Sequence, residues 1–164
     1  MLVLSLNDRH DRKGFDCGDA DLNSWLKQTA RQHREKGVSS TFVAVADEES
    51  TEILGFYAIS FAELVNVDLP AQYRKRLPGK VPVFRLGRLA TALQHQRKGI
   101  GEYLLFDAIE RVTRIVKEIG GIGLVVNAKS SAVDFYQRYG FEQMADHPQN
   151  LFLPLQSALA DTSL

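Results

Sequence analysis

Three observations predict a mixed α/β (α+β) fold. Ser40 to Asp47 (STFVAVAD) and Ile53 to Glu63 (ILGFYAISFAE) are strand-like runs joined by the polar turn EESTE, the pattern of an antiparallel hairpin. From about Lys98 to Ile119, Ile100, Leu104, Ala108, Val112 and Ile115 recur on one helical face, and Leu105, Ile109 and Val116 widen it. Such a face suits a helix packed on a sheet. Val83 to Thr91 reads as a strand that passes through the polar turn Gln94 to Lys98 into that helix at Gly99-Ile100-Gly101.

The other elements follow in order. Residues 2–6 (LVLSL) predict a first strand, and residues 7–18 a polar loop. Asp19 or Asp21 can cap the next helix by accepting a bond from a free amide. Leu22, Trp25, Leu26, Thr29, Ala30 and His33 form its buried stripe, so Trp25 reads as core, and Gly37 ends it. Residues 64–82, with Pro70, Pro78 and Pro82, form a long connection that carries the basic tetrapeptide YRKR, and Pro82 starts the following strand. Gly120-Gly121 stop the long helix, and Gly123 to Ala128 reads as a buried strand. Ser130 or Ser131 opens a short helix, AVDFYQRY, closed by Gly140. Phe141 to Met144 and Leu151 to Leu155 are final strands. A single domain over residues 1–155 and a tail over 156–164 are expected.

Composition narrows the function classes. Hydrophobic residues make up 45% and charged residues 24%, as in ordinary globular proteins. No apolar run approaches the roughly 18 residues of a membrane span. The N-terminus lacks the basic start and cleavage site of a secretion signal, so no membrane and a cytoplasmic location are expected. Cys17, the single cysteine, excludes an internal disulfide and reads as a buried small hydrophobe rather than a nucleophile. No metal site is expected. Formal charge is zero, but Asp68 to Gly101 holds eight basic residues against Asp68 alone, a net +7. A basic third of this kind can face a polyanion.

The strand–turn–helix junction holds the most specific chemistry. Its glycines let a ligand approach the backbone, and the first amides of a helix lack partners within it and accept an anion. Gln96-Arg97-Lys98-Gly99-Ile100-Gly101, with Arg88-Leu89-Ala90 before it, fits neither a Walker A loop nor a dinucleotide fingerprint. It resembles the Q/R-x-x-G-x-G/A pyrophosphate loop of the GNAT N-acetyltransferase superfamily. Downstream, Phe135-Tyr136-Gln137-Arg138-Tyr139-Gly140-Phe141 resembles the FYxxxGF stretch of the same superfamily. The resemblance spans roughly residues 1–155. It implies a mixed, mostly antiparallel sheet of six to seven strands, flanked by about four helices, with central strands splayed around CoA. It also implies acetyl-CoA as cosubstrate on Leu89, Ala90, Thr91, Gln96, Arg97, Lys98, Gly99, Ile100 and Gly101, and Tyr136 as general acid.

The opening FDCGDADLNSWLKQTARQH resembles the start of the acetyltransferase toxins of bacterial toxin–antitoxin pairs. That narrower resemblance implies an aminoacyl-tRNA substrate acetylated on its α-amine, arrest of translation, and a ribbon-helix-helix antitoxin. A homodimer is the family's suggestion. An acetyltransferase for a small-molecule or protein amine, and a catalytically inert CoA-binding regulatory module, are the alternatives.

Acetyl transfer needs a polarised thioester carbonyl, a neutral amine and a protonated or stabilised leaving thiolate. Backbone amides at Leu89–Thr91 suit the first need. Tyr136, a phenol of ordinary pKa near 10, suits the third, with Tyr139 as fallback. No confident base is legible: Glu63 is the best candidate, and His33, His95 and His147 have no motif context. A lysine amine, with pKa about 10.4, needs a base far more than an α-amine at about 7.7–8.0. The missing base therefore favours an α-amine acceptor. Arg74, Lys75, Arg76, Lys80, Arg85 and Arg88 are the candidate RNA contacts.

Overall fold

The expected hairpin forms as two paired strands in a seven-stranded sheet. The computed structural model describes residues 1–156, so the expected tail lies outside the described residues except for Gln156. The strands are β1 (Leu2–Ser5), β2 (Ser40–Val45), β3 (Gly55–Val65), β4 (Lys80–Thr91), β5 (Gly123–Asn127), β6 (Glu142–Gln143) and β7 (Asn150–Pro154). The α-helices are α1 (Ala20–Gln28), α2 (Ala30–Glu35), α3 (Ile100–Ile119) and α4 (Val133–Arg138). Sheet order is β1-β2-β3-β4-β5-β7-β6. β1–β2, β2–β3, β5–β7 and β6–β7 pair antiparallel, whereas β4–β5 is parallel. The mostly antiparallel mixed sheet and its helices match the expectation.

The chain forms two compact units, and β3, β4 and α3 each contribute to both. The first comprises Met1–Ser60 and Gly87–Ala108. Its core gathers Phe15, Trp25, Leu26, Val43, Val45, Phe56 and Ala90. Each fully buried large apolar side chain contributes about 1.5–3 kcal/mol. Asp19, rather than Asp21, caps α1, with Oδ1 accepting from the amides of Asp21 and Leu22 at 2.9 and 3.2 Å. The sequence predicted one helix to Gly37, but it divides at Thr29, whose φ is −111°. The amide of Thr29 still bonds the Trp25 carbonyl and that of His33 the Thr29 carbonyl, both at 2.9 Å. The divided segment thus keeps Trp25, Leu26 and Ala30 buried together.

The second unit comprises Phe61–Leu86 and, among the described residues, 109–156. Its core holds Leu69, Tyr73, Val81, Val83, Ile122, Val125, Met144 and Phe152. Here β4 begins at Lys80, two residues before the expected start at Pro82. Pro82 lacks an amide proton, but its carbonyl still accepts from the Ile122 amide at 2.9 Å. The β4–β5 register runs over Phe84–Leu86 against Leu124–Val126. β4 continues to Thr91 beyond that last pair.

Candidate active site

At the N-terminus of α3, Arg97 has φ 65° and Gly99 has φ 81°. Arg97 is the one non-glycine residue with positive φ among the described residues, a conformation uncommon for a residue with a Cβ. Alternating left- and right-handed residues turn successive N–H groups to one side and form an anion-binding concavity. Among the described residues, no backbone carbonyl accepts from the amides of Arg97, Lys98 and Gly99. The α3 ladder starts with the Tyr103 amide on the Gly99 carbonyl at 3.0 Å. A Cβ at Gly99 would meet no atom within 4 Å, so the loop is open on that side. Free amides, an open face and the helix terminus together fit a pyrophosphate.

Gln96 serves this loop as a brace. Its Nε2 donates to the Thr91 carbonyl at the end of β4 and to the Cys17 carbonyl in the N-terminal segment, each at 3.2 Å. The motif position signalled a ligand contact, and its tie to Cys17 was not legible. The Cys17 thiol is held above its ordinary pKa, chiefly by burial, which keeps it protonated and supports the packing role.

Tyr136 belongs to α4, in the second unit. It is 6% exposed, with Phe135 and Phe141 edge-on at centroid distances of 5.1 and 5.4 Å. Burial in this aromatic setting pushes the phenol up to about 12. No side-chain hydrogen bond engages its hydroxyl among the described residues, so the proton stays available. The helix closes as expected, with Gly140 at φ 94°.

Residues 15–151 match the family model described as "Acetyltransferase (GNAT) domain". The chain belongs to the GNAT acetyltransferase family. As a GNAT protein it is an N-acetyltransferase. It is 32% identical over 156 residues to a tRNA-acetylating toxin of Mycobacterium tuberculosis (strain ATCC 25618 / H37Rv), covering 94% of this chain and 92% of that protein. It also resembles the structure of AtaT complexed with acetyl-methionyl-tRNAfMet, with 29% identity, TM-score 0.87 and 96% of each chain covered. A third similar structure is a mutant AtaT toxin bound to the C-terminus of the antitoxin AtaR and acetyl-CoA. That match has 26% identity and TM-score 0.79, and covers 99% of this chain and 98% of that one.

The six basic candidates of this GNAT chain divide by environment. Arg74 is half-buried and donates through Nε to the Leu69 carbonyl at 2.8 Å, folding the 64–82 connection on itself. Arg88 lies on the Trp25 indole, its Cζ 4.3 Å from the ring centroid. Lys75, Arg76 and Lys80 are exposed and Arg85 half-buried, without ion pairs among the described residues. Asn66 holds their loop, its Nδ2 reaching the carbonyls of Arg74, Leu77 and Pro78 at 3.1 Å each. Gln72 and Tyr73 anchor the same loop to the Glu142 carboxylate.

Each histidine has a structural neighbour. His33 Nδ1 lies 3.2 Å from Ser39 Oγ, and His95 Nε2 lies 2.8 Å from Glu52 Oε1. His147 Nδ1 accepts from the Gln149 amide at 3.1 Å. Glu63 is exposed. Among the described residues, no group of three or more metal-ligating side chains could hold an ion, and no helix is long and apolar enough to cross a membrane.

Proposed function

We propose that this chain transfers acetyl from acetyl-CoA to the α-amine of an aminoacyl-tRNA and thereby acts as a translation-blocking toxin. The observation that carries the reading is the unsatisfied amide concavity at Arg97–Gly99, in a chain 32% identical to a tRNA-acetylating toxin. The amides from Arg97 to Gly101 hold the pyrophosphate of acetyl-CoA, and Gln96 keeps the loop in shape. The amides of Leu89, Ala90 and Thr91, past the last β4–β5 pair, polarise the thioester carbonyl. The α-amine of an amino ester attacks in its neutral form without a protein base.

Tyr136 donates to the departing thiolate. Its proton is held near 12, whereas a cysteine thiol has a pKa near 8.5 and the alkyl thiol of CoA lies between the two, so transfer to that thiolate in water is uphill by less than about 5 kcal/mol. The phenol therefore acts first as a hydrogen-bond donor. Full proton transfer follows as the shielding that raises the phenol also raises the basicity of the thiolate, and the proton that the attacking nitrogen loses as the amide forms restores the phenol. Lys75, Arg76, Lys80 and Arg85 supply charge to RNA phosphates, Arg74 folds the loop that presents them, and Arg88 packs on Trp25 in the first unit.

The wider reading is a single catalytic domain over residues 1–155 that forms a homodimer and works in the cytoplasm, where charged tRNA, its substrate, is found. A ribbon-helix-helix antitoxin neutralises it; the AtaT complex with the C-terminus of AtaR supports an antitoxin as partner. Incubation with acetyl-CoA and charged tRNA, followed by mass measurement of the released aminoacyl group, tests the substrate. A gain of one acetyl group on the α-amine is expected. Tyr136→Phe should lower kcat about 10²–10⁴-fold. Unchanged charged tRNA beside an acetylated lysine peptide would replace this acceptor with a protein amine.

A further inference from the structure

The loop between β1 and α1 contains an open cleft of about 430 Å³, lined by Asp8, Arg9, His10, Asp11, Arg12, Lys13, Lys27 and Thr51. Its carboxylates are already engaged: Asp8 lies 3.8 Å from the Arg31 guanidinium, and Asp11 accepts from the Gly14 amide at 3.0 Å. Arg9 faces Glu49 at 4.0 Å. The side chains of Arg12, Lys13 and Lys27 make no ion pair or hydrogen bond among the described residues. Lys27 acts only through space, helping to lower the Asp16 carboxyl behind the bonds from Gly18 and Asn23. Three cations without paired carboxylates thus border one concave surface.

His10 supplies an independent observation. It is 4% exposed, and its Nδ1 accepts from the Asn7 amide at 3.1 Å. With that lone pair in use, the neutral ring carries its proton on Nε2. Burial, and then the charge of Arg9, lower the pKa and keep the ring neutral. Nε2 is buried without a partner among the described residues. An unsatisfied buried donor is costly, and an acceptor oxygen drawn into the cleft would relieve that cost. Cations that line the same cleft as a residue with an orphan N–H match an oxyanion.

We infer that this cleft binds a phosphodiester of an RNA backbone, a second anchoring point for the RNA substrate proposed above, on which the inference rests. Lysines act here as point charges toward phosphate, and such contacts position a nucleic acid without reading its sequence. The cleft volume lies within the range of about 300–1,000 Å³ typical of small-ligand pockets, enough for one phosphate and its sugar.

The test compares the full-length wild type with Arg12→Gln/Lys13→Gln/Lys27→Gln, and uses Lys117→Gln as a remote control. Binding of deacylated tRNA is followed by fluorescence anisotropy across a salt series. The triple variant should bind about tenfold or more weakly at low salt, with a salt slope reduced by about one per lost contact. Transfer to a minimal aminoacyl-nucleotide should be unchanged, as should all behaviour of the Lys117 control. The ¹⁵N resonance of His10 Nε2 should shift when an RNA hairpin is added, in the wild type but not in the triple variant. Inorganic phosphate at matched ionic strength should not reproduce that shift.

An unaltered slope and KM for charged tRNA in the triple variant would overturn the inference. So would displacement of tRNA by polyglutamate as readily as by unlabelled RNA. If the wild type never acetylates charged tRNA but the slope still depends on these three residues, the substrate reading fails and the cleft stands.

Discussion

The guanidinium of Arg88 lies over the Trp25 indole at 4.3 Å, and the same indole stacks with Phe56 at 6.0 Å and an interplanar angle of 7°. Arg88 therefore sits on the core of the first unit, and burial pulls its pKa below the ordinary value. The stack predicts that Arg88→Gln loses about 0.5–1 kcal/mol of cation–π attraction. That loss corresponds to a fall in Tm of about 1–4 °C in a chain of this size. Lysine cannot stack as a planar group, so Arg88→Lys should restore only part of the loss. Thermal unfolding reads this directly. An unchanged Tm, with the tRNA salt slope reduced by about one, would make Arg88 a phosphate contact instead.

The brace at Gln96 separates loop shape from ligand contact. Its side-chain amide spends donors on the Cys17 and Thr91 carbonyls. Gln96→Ala should raise the KM for acetyl-CoA about tenfold and leave kcat within about twofold, since uniform binding is what is lost. Gln96→Glu should be worse, because a carboxylate would face two carbonyls beside the pyrophosphate loop. Steady-state kinetics with acetyl-CoA as the varied substrate gives both values. Equal KM for Gln96→Ala and wild type would show that the loop holds its shape unaided.

Gly55 lets α3 approach the sheet. A Cβ there would lie 2.8 Å from the Ala90 carbonyl oxygen, 2.8 Å from Leu104 Cδ1 and 3.2 Å from Ile100 Cγ2. Gly55→Ala should destabilise by about 1–3 kcal/mol through overpacking. Because Ile100 begins the helix whose amides continue the anion site, acetyl-CoA affinity should fall as well. Urea unfolding and isothermal titration test the two effects. Wild-type stability in Gly55→Ala would mean that the strand and helix separate at no cost.

Asn66 determines how the basic loop is presented. One side-chain nitrogen reaches three carbonyls at 3.1 Å each, more acceptors than its two hydrogens serve with full strength. Asn66→Asp would set a carboxylate against them and should cost about 1–3 kcal/mol. The KM for tRNA should rise, while that for acetyl-CoA stays put. A Tm and tRNA KM equal to wild type would show that Lys75 and Arg76 need no fixed loop.

Much of this arrangement is local and therefore legible in the sequence. The β2–β3 hairpin follows from two strand runs and a polar turn, and α3 from its apolar spacing. The Gln96–Gly101 loop and the FYQRYGF helix follow from short contiguous motifs. What escaped depends on distant partners. Arg74 and Arg88 look like Lys75 and Arg76 in a charge count, yet one is spent on the Leu69 carbonyl and the other on an indole 63 positions away. His10 carried no motif, and its buried unpaired nitrogen exists only once the N-terminal loop folds. The break at Thr29 leaves the apolar stripe intact, so periodicity alone could not reveal it.

Tyr136 yields a prediction in pH. The phenol works only while protonated, and burial raises it to about 12, so it should remain an acid across any practical assay range. The group that must lose a proton is the acceptor amine, which for an amino ester lies below the about 7.7–8.0 of a peptide α-amine. The kcat/KM for charged tRNA should therefore rise with unit slope through that value. It should then stay level to at least pH 9.5, with no descending limb. Tyr136→Phe should lower the plateau and keep the rising limb, because the amine belongs to the substrate. Rapid-quench assays keep ester hydrolysis from distorting the alkaline points. A descending limb centred near pH 8–9 in the wild type would assign the acid to another group, since a phenol shielded by Phe135 and Phe141 cannot ionise there.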